Sequence, residues 1–405
     1  MPHCFLCNSS YEPFISFGKM PIGNGFLSKT QFENEFFFEL EVGFCPTCYM
    51  VQLVTQPDRE KMFHENYAFF SSTSSRMIEH FKKFADLVTQ QYLQDKDPFV
   101  MEIGCNDGIL IQNFAKKQIR HLGIEPSKNV AKVANANGVE TISEFFDEKL
   151  AEKIIEKYGH ADVILAANVM CHIPYLHSVV SGIKKLLKPE GVFIFEDPYL
   201  GDIVEKVSYD QIYDEHAFYF SLASIRYLLE SHDLEIIDVM PQQVHGGSMR
   251  YVIAHKGKKN VSPSVIEQTK KEIKLGLQKP ETFQKLKQNI EKSRNELKSL
   301  LNTLRKDGKR IVGYGATSKS TTVTNYCDIT SDLVEFISDT TPIKQGKFNP
   351  GTHIPVKNYP EFCNNYPDYA LLFAWNHGEE IMAKEHDFIK SGGKWIVYVP
   401  TVHIL

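Results

Sequence analysis

An α/β chain of three parts is what this sequence predicts: a Rossmann-like central domain, a small metal-binding module ahead of it and a smaller α/β domain behind it. Three observations carry that expectation. Two Cys-x-x-Cys pairs lie within the first 75 residues. Between 76 and 255, short apolar runs alternate with helical patterns, the arrangement that a parallel sheet covered by helices needs. A second alternation opens at Arg310 and closes at Val399.

At 405 residues the chain is longer than one hydrophobic core usually organises, in keeping with two or three domains. With 42% hydrophobic and 23% charged residues, it has the composition of a folded globular protein. A formal charge of -5 and a pI near 6.3 provide no basic surface of the kind a phosphate backbone requires, so no nucleic-acid partner is expected. The amino terminus shows no cationic stretch followed by an apolar one, and runs of about 18 apolar residues are absent, so no membrane partner is expected either. A cytoplasmic monomer is the expectation.

In residues 1–75, Cys4 with Cys7 and Cys45 with Cys48 each offer two thiolates from one tight knuckle. Two knuckles can surround one tetrahedral Zn²⁺ at about 2.3 Å. The ion neutralises the thiolates and adds folding free energy to a segment too small to hold itself. A closed four-sulfur shell leaves no position for a substrate, so the expected role is structural. Cys105, Cys171, Cys327 and Cys363, scattered singly, are expected to be small buried side chains.

Residues 76–255 carry the central domain. Val100-Met-Glu-Ile-Gly-Cys-Asn-Asp-Gly-Ile-Leu reads as a buried strand, a glycine-bearing turn and a helix start, with Gly104 and Gly108 allowing a ligand close to the backbone. Glu125 ends the next apolar run about twenty residues on, where an acid accepts hydrogen bonds from both ribose hydroxyls. The turn lacks the third glycine of a dinucleotide fingerprint and is preceded by an acidic strand residue, Glu102. With Asn106 and Asp107, Glu102 suits the cationic end of a methionine moiety better than a pyrophosphate. The expected cofactor is S-adenosylmethionine. Phe146, beside Phe145, is expected to border the adenine, and Asn168 ends the fourth strand on the same rim.

Tyr213-Asp214-Glu215-His216 gathers a phenol, two carboxylates and an imidazole just beyond the fifth strand. Ligands collect outside the carboxyl ends of strands in open α/β sheets, so this cluster is the expected reacting centre. His172, directly after the fourth strand, and Tyr67, where the metal module hands over to the sheet, belong to the same rim.

Residues 256–308 are rich in Lys, Glu and Gln, with Phe283, Leu286, Ile290, Leu297, Leu301 and Leu304 spaced as one apolar helical stripe, and predict a helical connector. In 309–405, Gly313-Tyr-Gly-Ala-Thr-Ser-Lys-Ser reads as a strand-to-helix turn whose amides, with Lys319, suit a diphosphate. Tyr199, Tyr314, Lys319, Ser320 and Asn376 are the expected substrate contacts. His377 and the stretch containing Lys344 and Lys347 are weaker candidates for the same ligand.

Across its whole length the chain resembles the nucleotide-sugar C-3 methyltransferases that act on dTDP-linked 4-keto deoxysugars. The resemblance rests on Cys45-Pro-Thr-Cys-Tyr-Met-Val-Gln-Leu, Phe63-His-Glu, Glu102-Ile-Gly-Cys-Asn-Asp-Gly, Cys171-His-Ile-Pro-Tyr, Phe195-Glu-Asp-Pro-Tyr-Leu-Gly-Asp-Ile-Val, Asp214-Glu-His, Val244-His-Gly-Gly, Gly313-Tyr-Gly-Ala and Phe373-Ala-Trp-Asn-His. It implies a class I S-adenosylmethionine methyltransferase domain with a zinc-binding module and a carboxy-terminal domain that helps hold the sugar nucleotide. It also implies that Tyr67, His172, Tyr213, Glu215 and His216 surround the sugar. Ala316-Thr317-Ser318-Lys319-Ser320 differs from the pattern common in that family, so substrate preference transfers less securely there.

Methylating carbon 3 of a 4-keto sugar means removing an acidic C–H proton while charge grows on the carbonyl oxygen. His216, mostly neutral near pH 7, suits the base, and Tyr67 or Tyr213, or His172 if protonated, suits the donor to the enolate oxygen. Glu215 orients the imidazole or binds a sugar substituent. The competing expectations are O- or N-methylation of a nucleotide sugar, and a non-catalytic zinc-containing binding scaffold.

Overall fold

The computed structural model describes residues 1–62 and 70–405, which form three sheets and their covering helices. In the first, β1 (Pro13–Pro21), β2 (Phe37–Phe44) and β3 (Val51–Leu53) run antiparallel. Along β2, Phe38, Leu40 and Val42 are buried and Phe37 and Glu39 exposed, the period of two that a half-covered sheet demands.

The central sheet holds β4 (Phe99–Ile103), β5 (Arg120–Ile124), β6 (Thr141–Ile142), β7 (Ala161–Ala167) and β8 (Leu187–Pro198), all parallel. After β8 the chain makes β9 (Phe218–Tyr219) outside this sheet, then returns with β10 (Leu234–Gln242) and β11 (Ser248–His255). The order is β10-β11-β8-β7-β4-β5-β6, with β11 antiparallel to its neighbours.

Helices cover both faces. On one side, α1 (Ser75–Tyr92) buries Met77, Phe81, Phe84 and Val88 in the same core as Val100 and Val163. On the other, α3 (Glu148–Tyr158) and α4 (Leu176–Leu186) share a core with Phe99, Met101 and Ile103, while α2 (Lys128–Ala136) follows β5. The strands are buried on both faces, so they read as continuous apolar runs. The chain leaves β4 toward β5 and later returns to β7 on the opposite side of β4. This topological switch opens a crevice at the carboxyl ends of β4 and β7.

The amino-terminal module is not self-contained. Strand β9 leaves the central region and pairs with β3, Val51 opposite Tyr219 and Gln52 opposite Phe218, so the first sheet is β1-β2-β3-β9. An edge strand of three residues gains paired backbone groups this way. After α5 (Leu222–Glu230), the connector consists of α6 (Pro263–Leu275) and α7 (Pro280–Lys306). Ser262 caps α6 by accepting from the Ser264 amide, and Gly276, at φ 72°, ends it. The apolar stripe of α7 is buried, and Phe283 packs on Phe14 of β1 and stacks on Phe44 of β2 with ring centroids 5.4 Å and 4.5 Å away.

The carboxy-terminal sheet has the order β14-β13-β12-β15-β16-β17. Its strands are β12 (Ile311–Tyr314), β13 (Ile337–Ser338), β14 (Val356–Lys357), β15 (Tyr369–Leu372), β16 (Lys394–Val397) and β17 (His403–Ile404), parallel except for β17. Helix α8 (Ser318–Tyr326) follows β12.

All three units meet at Gly23. Its amide donates to Asp214 Oδ1 (2.8 Å) and its carbonyl accepts from Thr321 of α8 (2.9 Å). A Cβ on Gly23 would stand 2.9 Å from Asp214 Oδ1 and 3.1 Å from Ser318 Cβ, so only glycine fits without a shift.

Replacing Phe283 with Ala is expected to cost about 3–5 kcal/mol at the contact between α7 and the first sheet. Urea denaturation followed by tyrosine fluorescence checks this; an unchanged midpoint would show that α7 does not hold that sheet.

Candidate active site and zinc centre

Two knuckles build the metal centre. In the first, the Asn8 amide donates to the Cys4 carbonyl (2.9 Å) with Asn8 at φ 60°; in the second, the Tyr49 amide donates to the Cys45 carbonyl (2.8 Å) with Tyr49 at φ 61°. The four sulfurs lie within 4.8 Å of one another, Cys4 Sγ 3.5 Å from Cys48 Sγ and Cys7 Sγ 3.4 Å from Cys45 Sγ. A hydrogen bond from Cys48 pushes Cys4 down to about 5, while the same contact pushes Cys48 up. Thiols packed this closely ionise together only around a cation, and a closed four-sulfur donor set fits structural zinc. Of the other cysteines, Cys105, Cys171 and Cys327 are buried and Cys363 is only half-buried.

One cavity of about 360 Å³ opens beyond the carboxyl ends of the central strands and is roofed by the carboxy-terminal domain. Glu102, Gly104, Asn106, Glu125, Phe146 and Asn168 line one end; His172, Tyr213, Glu215, His216, Lys319 and Asn376 line the other. Tyr67 lies outside the described residues.

At the first end, Gly104 (φ 67°), Asn106 (φ 49°) and Gly108 (φ 86°) bend the chain away from β4. The glycines serve packing more than close approach of a ligand: a Cβ on Gly104 would lie 2.3 Å from Val169, and one on Gly108 3.0 Å from Val139. Glu125 accepts from the amides of Ser127 (2.8 Å) and Asn106 (3.1 Å), and Glu102 from that of Ile111 (3.0 Å). Burial pushes both carboxyls up, Glu102 furthest.

Asp107 and Gly108 stand behind this wall, Asp107 Oδ2 being held by the amide (2.9 Å) and hydroxyl (2.5 Å) of Ser72. Asn168 is left-handed (φ 56°), and its buried Oδ1 has no partner among the described residues. An open acceptor beside two buried carboxyls suits the ammonium and ribose hydroxyls of S-adenosylmethionine, and Phe146 provides an apolar side for its adenine.

At the second end, His216 Nδ1 donates to the Gln211 carbonyl (2.7 Å), which leaves Nε2 to accept the Tyr213 hydroxyl (2.8 Å). The His172 ring stacks on His216, centroids 5.3 Å apart. Burial lowers His172 to about 4 and His216 well below its usual range, so both imidazoles are neutral near pH 7. The turn carrying His172 is fixed by Asp197, which accepts from the amides of Val169 and Cys171 at 3.0 Å each. Glu215 Oε1 accepts from the Asn24 amide (2.7 Å), a residue of the amino-terminal module.

The carboxy-terminal domain contributes cations. Thr317 caps α8, so Lys319 sits in its first turn; Nζ donates to Asn376 Oδ1 (3.3 Å) and lies 5.0 Å from the Trp375 ring. Lys344 Nζ donates to the Ala316 carbonyl (2.7 Å) and also lines the cavity. Burial lowers the pKa of both lysines.

Three expected substrate contacts are not on the wall. The Tyr199 hydroxyl donates to Glu272 (2.9 Å), the Tyr314 hydroxyl donates to Glu385 (2.8 Å), and Ser320 is tied to the Thr317 carbonyl (2.6 Å) and Asn349 (3.1 Å). Asn24 and His245, which do line the cavity, had no role assigned from sequence. His245 was visible there only as part of Val244-His-Gly-Gly.

The strand order, the reversed β11 and the crevice over β4 and β7 define a class I methyltransferase. The family model described as methyltransferase domain matches residues 73–239, that described as C-methyltransferase C-terminal domain matches 243–400, and a zinc binding domain model matches 4–63. The chain is 33% identical, over 99% of its length and 96% of the relative's, to C-methyltransferase NovU of Streptomyces niveus. It belongs to this C-methyltransferase family, with S-adenosylmethionine as cofactor and a zinc-binding amino-terminal module.

A ubiquinone biosynthesis O-methyltransferase of Colwellia psychrerythraea is 30% identical over 24% of this chain and 41% of that one. Among solved structures, magnesium protoporphyrin IX methyltransferase (ChlM) from Synechocystis PCC 6803 with bound SAM is similar at 16% identity, covering 45% of this chain and 82% of that one, with a TM-score of 0.34. No helix among the described residues is long and apolar enough to cross a membrane.

The purified protein is expected to carry one zinc per chain by elemental analysis. Stripping it with a strong chelator is expected to expose four additional thiols to a thiol reagent and to lower the melting temperature; a metal-free protein of equal stability would contradict a structural ion.

Proposed function

We propose that this C-methyltransferase methylates carbon 3 of a dTDP-linked 4-keto deoxysugar by way of an enolate. One observation carries the assignment: Lys319 and Lys344 line the same cavity as the Tyr213–His216 pair, buried, with no ion-pair partner among the described residues. Asp210 acts on Lys319, and Asp339 and Glu215 on Lys344, without a salt bridge to either amine; a ligand anion would pair them directly, and the diphosphate of a sugar nucleotide supplies one. NovU, a C-methyltransferase by name, is a relative over nearly the whole chain, which supports carbon as the acceptor.

Neutral His216 is the proton acceptor, and its Nδ1–H is held by the Gln211 carbonyl, so the proton must arrive at Nε2. That nitrogen is covered by the Tyr213 hydroxyl. The pair works as a relay: the Tyr213 oxygen takes the C3 proton while its own proton passes to Nε2. Tyr213 ends neutral, His216 becomes imidazolium, and the enolate beside it provides the counter-charge. His172, stacked on His216, and Tyr67 are the remaining candidates for the hydrogen bond to the enolate oxygen. Bound S-adenosylmethionine supplies the electrophilic methyl group that the enolate carbon takes. The cytoplasm is the proposed location and a monomer the proposed state.

Incubation with dTDP-linked 4-keto sugars and ¹³C-methyl S-adenosylmethionine, with the product read by NMR, is expected to place the label on carbon 3; a label on oxygen or nitrogen overturns the assignment. His216→Asn is expected to keep the fold and lower kcat by about 10²–10⁴. Burial depresses His216, so the base stays neutral as pH falls past the ordinary imidazole value near 6.5. The acid limb of kcat/KM is therefore expected below that value, and a limb at or above it would contradict the role of His216.

A further inference from the structure

One residue on the cavity wall is held more tightly than packing requires. His245, between the turn residues Val244 and Gly246 ahead of β11, sits in the left-handed region at φ 54°, a conformation costly for a residue with a Cβ. Its loop has no room to relax. A Cβ on Gly246 would lie 2.4 Å from Trp375, and one on Gly247 2.3 Å from Asp202. Lys206 Nζ donates to the Gly246 carbonyl (2.6 Å), and the Gln211 side chain donates to the carbonyl of His245 itself. Central and carboxy-terminal domains thus clamp the same three residues.

The imidazole so presented lines the cavity, yet its buried Nε2 has no hydrogen-bond partner among the described residues. A buried nitrogen without a partner is destabilising, and here that cost is combined with backbone strain. Both are explained if a ligand completes the site. The charged side chains that act on this ring are Lys319 and His377 from the carboxy-terminal domain and Glu196 and His80 from the central one; burial keeps the ring neutral, at about 3. His80 and Arg250 already occupy Glu196, with Nε2 of His80 at 2.7 Å and the Arg250 guanidinium at 2.7 Å. The side open to a ligand is therefore the cationic one.

We propose that His245 is a binding residue for the diphosphate of the sugar nucleotide, donating its Nε2–H to a phosphate oxygen beside Lys319. This rests on the sugar-nucleotide assignment above. A neutral imidazole with one N–H adds direction where the lysines add charge. Ligand binding then satisfies the unmet hydrogen bond.

The test titrates dTDP into the intact zinc-loaded protein and into His245→Asn, whose shorter amide tolerates the left-handed backbone but withdraws the donor. His245→Gly, which that backbone favours, is the second variant in case the first misfolds. Binding of dTDP is expected to weaken roughly 10- to 100-fold, and KM for the sugar nucleotide is expected to rise in parallel with kcat retained. Affinity for S-adenosylmethionine is expected to stay unchanged and the melting temperature of the ligand-free protein to hold or rise. Equal dTDP affinity in wild type and folded variants, or a loss confined to kcat, overturns the role of His245 alone. If wild type binds no nucleoside diphosphate, the sugar-nucleotide assignment falls and this inference falls with it.

Discussion

Desolvation is the constraint on which the rest of this structure depends. In water His216 and His172 would be partly protonated, Lys319 and Lys344 would be hydrated, and Glu102 would be an ordinary carboxylate. Brought into one cavity, the imidazoles are held neutral, the lysine amines are lowered, and the carboxyl is pushed up. No single unit of the fold can create that environment. The central sheet supplies a crevice open to solvent, and the carboxy-terminal domain closes it.

The zinc module takes part in this closure. Its four cysteines would hold an ion between the two knuckles, and the chain between them carries Gly23 and Asn24 into the junction with Asp214 and Glu215. Strand β9, two residues beyond His216, is paired with β3. The segment that bears Tyr213 to His216 is therefore gripped from the amino-terminal side, by a sheet against which α7 packs Phe283. An ion bound by the four cysteines would therefore bear on the placement of the 213–216 turn.

Features that depend on neighbours in sequence were legible from the start: the cysteine knuckles, the strand-turn-helix around Gly104, Glu125 after the next strand, the stripe of α7 and the Tyr213 to His216 cluster. Their spacing is itself the geometry. Features that depend on distant partners were not. Asn24 meets Glu215 across 191 positions, and nothing in its own loop marks it. Tyr199 and Tyr314, both expected to touch the substrate, are each instead satisfied by a buried glutamate, 73 and 71 positions away. Ser320 was spent on capping α8, a role that Thr317 three residues earlier already announced. Gly104 and Gly108 do take positive φ, and the atoms that exclude a side chain there belong to Val169 and Val139.

The central claim is that one cavity holds the methyl donor and an anionic sugar on either side of the Tyr213–His216 pair. A crystal structure with S-adenosylhomocysteine and a dTDP-linked 4-keto sugar bound together measures it most directly. The account predicts the diphosphate within hydrogen-bond reach of Lys319 or Lys344 and carbon 3 facing the Tyr213 oxygen, with the donor's sulfur across the ring from it. A sugar bound outside this cavity, or one whose carbon 3 faces away from both Tyr213 and His216, would contradict it.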